Sequence, residues 1–138
     1  MGTRPIVRGH GEGRTIQGPA GGPLTFKARS EETDGRLTAF ENEIAPGDGP
    51  PLHLHDVEGE AWYVISGTLR FRLGDEIAQA PTGSFVYVPP GVPHCFQNVG
   101  AGPARILVLF TPAGMEGFFE RFAALPAGTS APRAFQEA

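Results

Sequence analysis

The segment EAWYVISGTLRFRL, residues 60–73, indicates which kind of fold the chain adopts. EAWYVI is rich in aromatic and β-branched residues, which favour strands, and the SG that follows predicts a tight hairpin turn. After the turn, apolar residues alternate with arginines in the order Leu69, Arg70, Phe71, Arg72 and Leu73. This period of two places apolar side chains on one face of a strand and charged ones on the other. The segment therefore predicts two strands, one face of which lies in a core.

Short apolar runs separated by glycine and proline recur along the rest of the chain. Of the 138 residues, 20 are glycine and 14 are proline, and these punctuate about ten candidate strands. The further runs are LTFKA, RLTAFENEI, LHLH, IAQA, SFVYV, HCFQNV and RILVLF. Many short strands with no helix between them predict an antiparallel all-β sandwich or barrel rather than an α/β fold.

The two ends of the chain differ from this pattern. Residues 1–23 are Gly-rich and are predicted to form an N-terminal arm with one or two short strands at most. The barrel is predicted to cover residues 24–111, and a helix to follow over residues 112–125. The Pro- and Ala-rich segment 126–138 is expected to be a flexible tail.

The predicted helix lies in TPAGMEGFFERFAAL, where Thr111 is suited to cap the helix and Pro112 to occupy its first position. Its apolar residues fall on one stripe at helical spacing. We expect this stripe to pack on the outside of the barrel. The alternatives are a helix that caps the barrel mouth and one that joins a dimer.

Composition limits the compartment and the partners. The longest apolar run, ILVLF, is far shorter than the ~20 residues of a membrane-spanning helix, and the first residues carry no apolar signal-peptide core. The net charge is −4 and the basic residues are scattered, which argues against binding to nucleic acid. The single cysteine, Cys95, excludes an internal disulfide. We therefore expect a single-domain cytoplasmic protein without a nucleic-acid or membrane partner.

Two of the four histidines stand close together in HLHDVEGE. His53 and His55 are two apart on a predicted strand, so their imidazoles leave the same face. Glu60 opens the next strand after an insert that can turn, and Glu58, within that insert, is the competing carboxylate. His94 follows the rigid turn PPGVP, which fixes how its strand begins. Three imidazoles and one carboxylate suit Fe, Mn, Ni, Co, Cu or Zn better than Ca or Mg, but spacing alone leaves a purely structural role equally open.

These residues fall into two motifs that resemble those of the cupin superfamily. The first, G-x(5)-H-x-H-x(3–4)-E-x(6)-G, runs from Gly47 to Gly67, and the second, G-x(5)-P-x-G-x(2)-H-x(3)-N, runs from Gly83 to Asn98. The resemblance implies a jelly roll, that is, a double-stranded β-helix, that binds one divalent transition metal ion. Its implied ligands are His53, His55, Glu60 and His94.

The resemblance also implies a partner and a subgroup. Cupins of this size commonly form homodimers, and covering exposed strand edges gives a physical reason for this. The chain looks most like the small quercetin-dioxygenase-like group.

Strand parity predicts what surrounds the metal. Trp62 shares the parity of Glu60, while Phe96 and Asn98 share that of His94, so we expect these three residues to bind substrate. Two aromatic rings suit a flat aromatic or apolar small molecule. A role of both rings in filling the core is an equally open interpretation.

Several reactions are compatible with such a site. We expect a dioxygenase, and hence an oxidoreductase, that acts on a small aromatic or enolic, flavonol-like substrate, with Glu60 as the base that takes the substrate proton. One alternative is a non-redox cyclase, isomerase or lyase, in which the metal polarises a carbonyl. Another is a protein that binds a small molecule without catalysis.

Overall fold

The structure, a computed structural model, describes residues 4–126, in which nine strands and two helices are found. The strands are β1 (Thr15–Gln17), β2 (Pro23–Ala28), β3 (Thr38–Ile44), β4 (Gly59–Ser66), β5 (Thr68–Leu73), β6 (Glu76–Pro81), β7 (Phe85–Val88), β8 (His94–Asn98) and β9 (Ala104–Thr111). The helices are α1 (Ser30–Thr33) and α2 (Glu116–Ala123). Within this part of the chain, no helix is long and apolar enough to cross a membrane.

The strands form two antiparallel sheets around one core. The larger sheet has the order β1-β2-β3-β9-β4-β7 and the smaller one the order β6-β5-β8. Apolar side chains from both sheets share one cluster, to which Trp62 and Ile106 contribute from the larger sheet and Phe71 and Phe96 from the smaller. The prediction of an antiparallel all-β fold is therefore confirmed.

The alternation in β5 is confirmed, but the predicted hairpin between β4 and β5 is wrong. Leu69 and Phe71 are fully buried and the two arginines between and after them are exposed. However, β4 pairs with β7 and β9, whereas β5 pairs with β6 and β8. The turn at Gly67, where φ is 103°, therefore carries the chain from one sheet to the other. This crossing allows both strands to face the shared core.

The segment LHLH is not a strand, which corrects the sequence prediction. Only His53 forms a bridge, by exchanging backbone hydrogen bonds with His94 (His53 N to His94 O, 3.1 Å; His94 N to His53 O, 2.7 Å). Upstream, Gly47 N donates to Asn98 O (2.9 Å). The two prolines before Leu52 have no N–H to donate to a ladder. The segment nevertheless runs beside β8, and this contact brings the two motifs together.

Helix α2 begins at Glu116 and not at residue 112, so the predicted capping role of Thr111 is wrong. Thr111 is the last residue of β9 and pairs with Gly59. The chain then turns at Gly114, with φ of 129°, before the helix starts. Phe119 packs against the core ring of Phe40 at 4.9 Å between centroids. The helix therefore covers the barrel mouth, which is the alternative to the expected position outside the barrel.

The described part of the N-terminal arm lies against the barrel. β1 pairs with β2, and the Arg8 guanidinium donates to Lys27 O (2.6 Å) and forms an ion pair with Glu32. Helix α1, which carries Glu32, was not predicted from the sequence. Of the predicted flexible tail, residues 127–138 lie outside the described residues.

Candidate metal centre

Three imidazoles and one carboxylate converge between the two sheets. One ligand atom from each of four residues lies within 4.8 Å of all the others. The residues are His53, His55, Glu60 and His94. Donor atoms about 2.1 Å from a tetrahedral zinc ion lie about 3.4 Å apart. The cluster would therefore close around such an ion after movements of up to about 1.4 Å between its most widely separated ligand atoms.

Each sheet supplies part of the cluster. Glu60 lies in β4, opposite Val88 of β7 and Phe110 of β9, in the same phase as the buried Trp62. His94 begins β8 in the smaller sheet, and its backbone holds the His53 segment in place. Gly91 N also donates to His55 O (2.8 Å), so the PPGVP turn contacts the HLH segment directly.

The choice between the two carboxylates that the sequence left open falls on Glu60. Glu60 is buried between the sheets and belongs to the four-residue cluster. Glu58 precedes β4, is partly exposed and is not a member of that cluster. The glycine between them starts the strand, so the strand phase turns Glu60 inward.

Backbone carbonyls fix the tautomers of two of the imidazoles. His53 Nδ1 lies 2.7 Å from Pro51 O, and His94 Nδ1 lies 2.9 Å from Val92 O. Since a carbonyl oxygen only accepts, each Nδ1 must carry a proton and donate it. The Nε2 atom of each ring is then the one available to a metal, in the arrangement usual for metal-binding histidines.

Burial and the neighbouring carboxylate shift the pKa values of two imidazoles in opposite directions. Burial lowers the pKa of His53 to about 4, so this ring is neutral at pH 7. Burial also disfavours the charged form of His94, but the hydrogen bonds to Glu60 and to Val92 O outweigh it and raise the pKa of His94. His94 Nε2 lies 3.0 Å from Glu60 Oε1, so a metal ion competes with a proton at this nitrogen.

His55 supplies the test of whether the site fits a metal. Its Nε2 atom is buried and has no hydrogen-bond partner among residues 4–126. The nearest carboxylate oxygen, Glu60 Oε1, is 3.3 Å away. A buried nitrogen without a partner is uncommon and calls for a ligand. Three nitrogens and one carboxylate fit a divalent transition metal.

A small cavity of about 40 Å³ adjoins the cluster. Trp62 and Phe96 line it, together with aromatic and aliphatic residues of both sheets. Asn98 is not among the lining residues, and substrate binding by these three residues stays a prediction. The amide of Asn98 donates to Ile44 O at the end of β3 (2.9 Å) and to Gly102 O in the loop before β9 (3.0 Å). The side chain is therefore buried, as its parity predicted, but it binds backbone carbonyls.

Part of the cavity wall was not predicted from the sequence. Helix α2 contributes Phe118 and Phe119, and the N-terminal arm contributes Pro19 and Ala20. The helical stripe of phenylalanines was visible in the sequence, but its destination was not. An open groove of about 410 Å³ lies between Val57 and α2, and His53 and His55 line both this groove and the cavity. The groove therefore adjoins the cavity.

Cys95 lies on the other face of β8 from His94. It is partly exposed and borders an outer groove beside Arg72 and Gln97.

Comparison with known proteins gives the family. The family model of the cupin domain matches residues 40–110, more than half of the chain, and this range contains the whole cluster. The chain therefore belongs to the cupin family.

Individual relatives match only in part. A stretch of 64 residues is 30% identical to mannose-1-phosphate guanylyltransferase ManC of Salmonella typhimurium, and covers 46% of this chain but only 13% of that protein. The chain therefore spans a small fraction of the length of this curated relative.

Solved structures match over more of the chain. An RmlC-like cupin from Shewanella frigidimarina superposes with a TM-score of 0.70 at 17% identity, over 85% of this chain and 99% of the other. Bacillus subtilis oxalate decarboxylase, a protein with Mn(II) centres, gives 0.61 at 27% identity, over 75% of this chain and 28% of the other. The predicted double-stranded β-helix is thereby confirmed.

Proposed function

We propose that this protein is a cupin that binds one divalent transition metal ion through His53, His55, Glu60 and His94 and acts on a small oxygen-containing ligand there. The observation that carries the proposal is the convergence of four ligand atoms within 4.8 Å. The buried His55 Nε2 without a partner supports it. The 27% identity to an oxalate decarboxylase with Mn(II) centres supports a metal, while leaving its identity among Fe, Mn, Ni, Co, Cu and Zn open.

For the reaction we propose a dioxygenase, hence an oxidoreductase, in the manner of the quercetin-dioxygenase-like cupins. A bound transition ion would supply Lewis-acid and redox chemistry at the cluster. Glu60 is the chain's candidate base, because its Oε1 atom is buried in the cluster and lies 3.0 Å from His94 Nε2. Trp62, Phe96 and Phe119 would exclude water from the reacting ligand.

The size of the cavity favours a small substrate. A volume of about 40 Å³ accommodates roughly two or three water-sized groups beside the ligand atoms. A small enol or carboxylate fits this space. A three-ring flavonol requires helix α2 to move, because Phe118 and Phe119 close the cavity on that side.

A second candidate is a non-redox reaction, namely carbon–carbon cleavage of a small carboxylate. The small cavity and the 27% identity to oxalate decarboxylase over 75% of this chain favour it. In this case a bound metal ion would supply Lewis-acid chemistry only, and turnover would not consume O₂. A protein that binds ligand without product is the third possibility.

The test combines metal analysis with substrate turnover. Protein purified anaerobically and loaded with Fe²⁺ or Mn²⁺ is screened in an oxygen electrode with small enols, diketones and flavonols. We expect O₂ uptake by the wild type, none by Glu60→Gln, and uptake by the matched control Glu58→Gln. Anaerobic product formation instead supports the second candidate. Wild-type protein that retains no metal contradicts the whole proposal. In the same metal analysis, His53→Ala and His94→Ala should lose the metal that the wild type binds.

We further propose a homodimer located in the cytoplasm. β7 is the last strand of the larger sheet. Phe85 and Tyr87 of β7 and Tyr63 of the neighbouring β4 expose their aromatic rings, so a second copy of the chain would cover apolar surface there. A single free cysteine fits a reducing compartment. Light scattering after size exclusion tests the dimer, and a monomer at micromolar concentration contradicts it.

A further inference from the structure

Trp62 places a buried hydrogen-bond donor at the edge of the candidate site. It is the chain's single tryptophan and is 1% exposed. Its side chain lines the cavity with His53, His55 and Glu60, and its ring centroid is 5.5 Å from that of His94. The indole Nε1 atom is buried and has no hydrogen-bond partner among the described residues.

The protein surroundings give this N–H no acceptor. The two phenylalanine rings beside it, Phe71 at 5.1 Å and Phe96 at 6.3 Å between centroids, carry only carbon and hydrogen. Glu60 Oε1 already serves His94 and lies 3.3 Å from His55 Nε2. Since an indole N–H can only donate, and a buried donor without a partner is destabilising, a ligand in the cavity that Trp62 lines can supply the acceptor that the described residues do not.

We propose that the Trp62 indole N–H selects the ligand of this centre by donating to an oxygen of a small anion, a carboxylate or an enolate. The ligand would bind at the cluster through one oxygen and accept from Trp62 with another. This inference rests on the proposed function and adds to it the substrate class and the residue that recognises it. A donor without acceptor capacity favours the deprotonated ligand over its protonated form.

The single tryptophan makes the inference directly observable. Protein labelled with ¹⁵N-tryptophan gives one indole N–H signal, which belongs to Trp62. Zinc is diamagnetic and is therefore the ion for the measurement. After zinc uptake has been measured by metal analysis, oxalate is titrated as the probe anion, and we expect the indole proton signal to move downfield as the site fills.

A shape-matched replacement separates the hydrogen bond from packing. Because there is one tryptophan, biosynthetic replacement by the benzothienyl analogue exchanges the Trp62 N–H for sulfur and keeps the bicyclic shape. Zinc uptake should remain unchanged, while oxalate binding should weaken roughly ten- to hundredfold, the range for a hydrogen bond to a charged group. Imidazole, which binds metals through nitrogen and has no second acceptor, should bind both proteins equally.

The outcomes distinguish this inference from the proposed function. No zinc uptake by the wild type contradicts the proposed function and, with it, the inference. Zinc uptake without oxalate binding overturns the assigned ligand class. Oxalate binding with an unmoved indole signal, or with equal affinity in the analogue, overturns the role of Trp62 and leaves the metal centre intact.

Discussion

Glu116 fastens helix α2 over the barrel mouth. It is the first residue of α2 and only 7% exposed. One carboxylate oxygen accepts from Ser30 N (2.7 Å), and the other accepts from Thr38 Oγ1 (2.5 Å) and Gly114 N (3.2 Å). Since Phe119 of the same helix lines the cavity, loss of this carboxylate should loosen both the fold and the closure of the site.

The size of the effect follows from the pKa of Glu116. Burial disfavours the charge and would raise the pKa, but the hydrogen bonds from Ser30 and Thr38 outweigh burial and lower the pKa to about 2, against an ordinary value of 4.5. At 1.36 kcal/mol for each pH unit, this difference amounts to about 3 kcal/mol. Because the folded-state pKa is depressed, this stability is fully present above pH 4.5 and is lost as the pH falls towards 2.

Glu116→Gln should therefore lower the free energy of unfolding by about 3 kcal/mol at pH 7. Glutamine keeps an acceptor oxygen for Thr38, but its amide N–H₂ then faces the donor of Ser30 N. Urea unfolding followed by circular dichroism at pH 7 and pH 3 measures the loss, and the gap to the wild type should narrow at the lower pH.

Glu120→Gln is the matched control on the same helix. Glu120 pairs with Arg14 at 2.9 Å and Arg29 at 3.3 Å, with 27% of its side chain exposed. Such partly exposed pairs contribute about 1 kcal/mol or less. The reasoning would be refuted if both variants lost the same free energy of unfolding at pH 7. It would also be refuted if the difference in free energy of unfolding between Glu116→Gln and the wild type were the same at pH 3 as at pH 7.

Three further predictions concern turns, loops and the cavity wall. Gly67→Ala should destabilise the fold by more than about 1 kcal/mol, because the new Cβ would lie 2.8 Å from the Ala104 Cβ at a residue with positive φ. Gly102→Ala is the control and should be neutral, because a Cβ there meets open space. Thermal unfolding compares the two variants, and equal melting temperatures would contradict the prediction. Asn98→Ala removes the donor to Ile44 O and Gly102 O and should cost about 1–3 kcal/mol with zinc uptake unchanged, so loss of zinc from a folded variant would show that Asn98 does more. Phe119→Ala should cost about 3–5 kcal/mol and admit larger ligands, as measured by unfolding and by flavonol binding; an unchanged ligand size limit argues against α2 as the closure.

The local features of the fold and of the candidate site could be predicted from the sequence. Alternation in β5 gave the correct buried face, because side-chain direction in a strand depends only on neighbouring residues. The side chains of His53 and His55 were likewise predicted to leave the same face, and both belong to the cluster. Their segment nevertheless forms a single bridge rather than a strand. Strand partners were not readable in this way, since β4 and β5 are joined by a short turn yet lie in different sheets.

Parity located side chains inside the barrel without revealing what they do there. Phe96 and Asn98 share a face of β8, but Phe96 lines the cavity and Asn98 binds the carbonyls of Ile44 and Gly102. The start of α2 was predicted too early because β9 continues through Thr111 by pairing with β4, a non-local contact that outweighs local capping preference. The contribution of Phe118 and Phe119 to the cavity depends on the same long-range packing.

The central proposal is that one metal ion is held by Glu60 of the larger sheet, His94 of the smaller sheet, and His53 and His55 of the segment between β3 and β4. Crystals soaked in Zn²⁺ and measured above the zinc absorption edge give its position directly from anomalous differences. The account predicts one peak about 2.0–2.2 Å from the Nε2 atoms of the three cluster histidines and a carboxylate oxygen of Glu60. A zinc peak elsewhere on the chain, with none beside His53, His55, Glu60 and His94, would contradict the account.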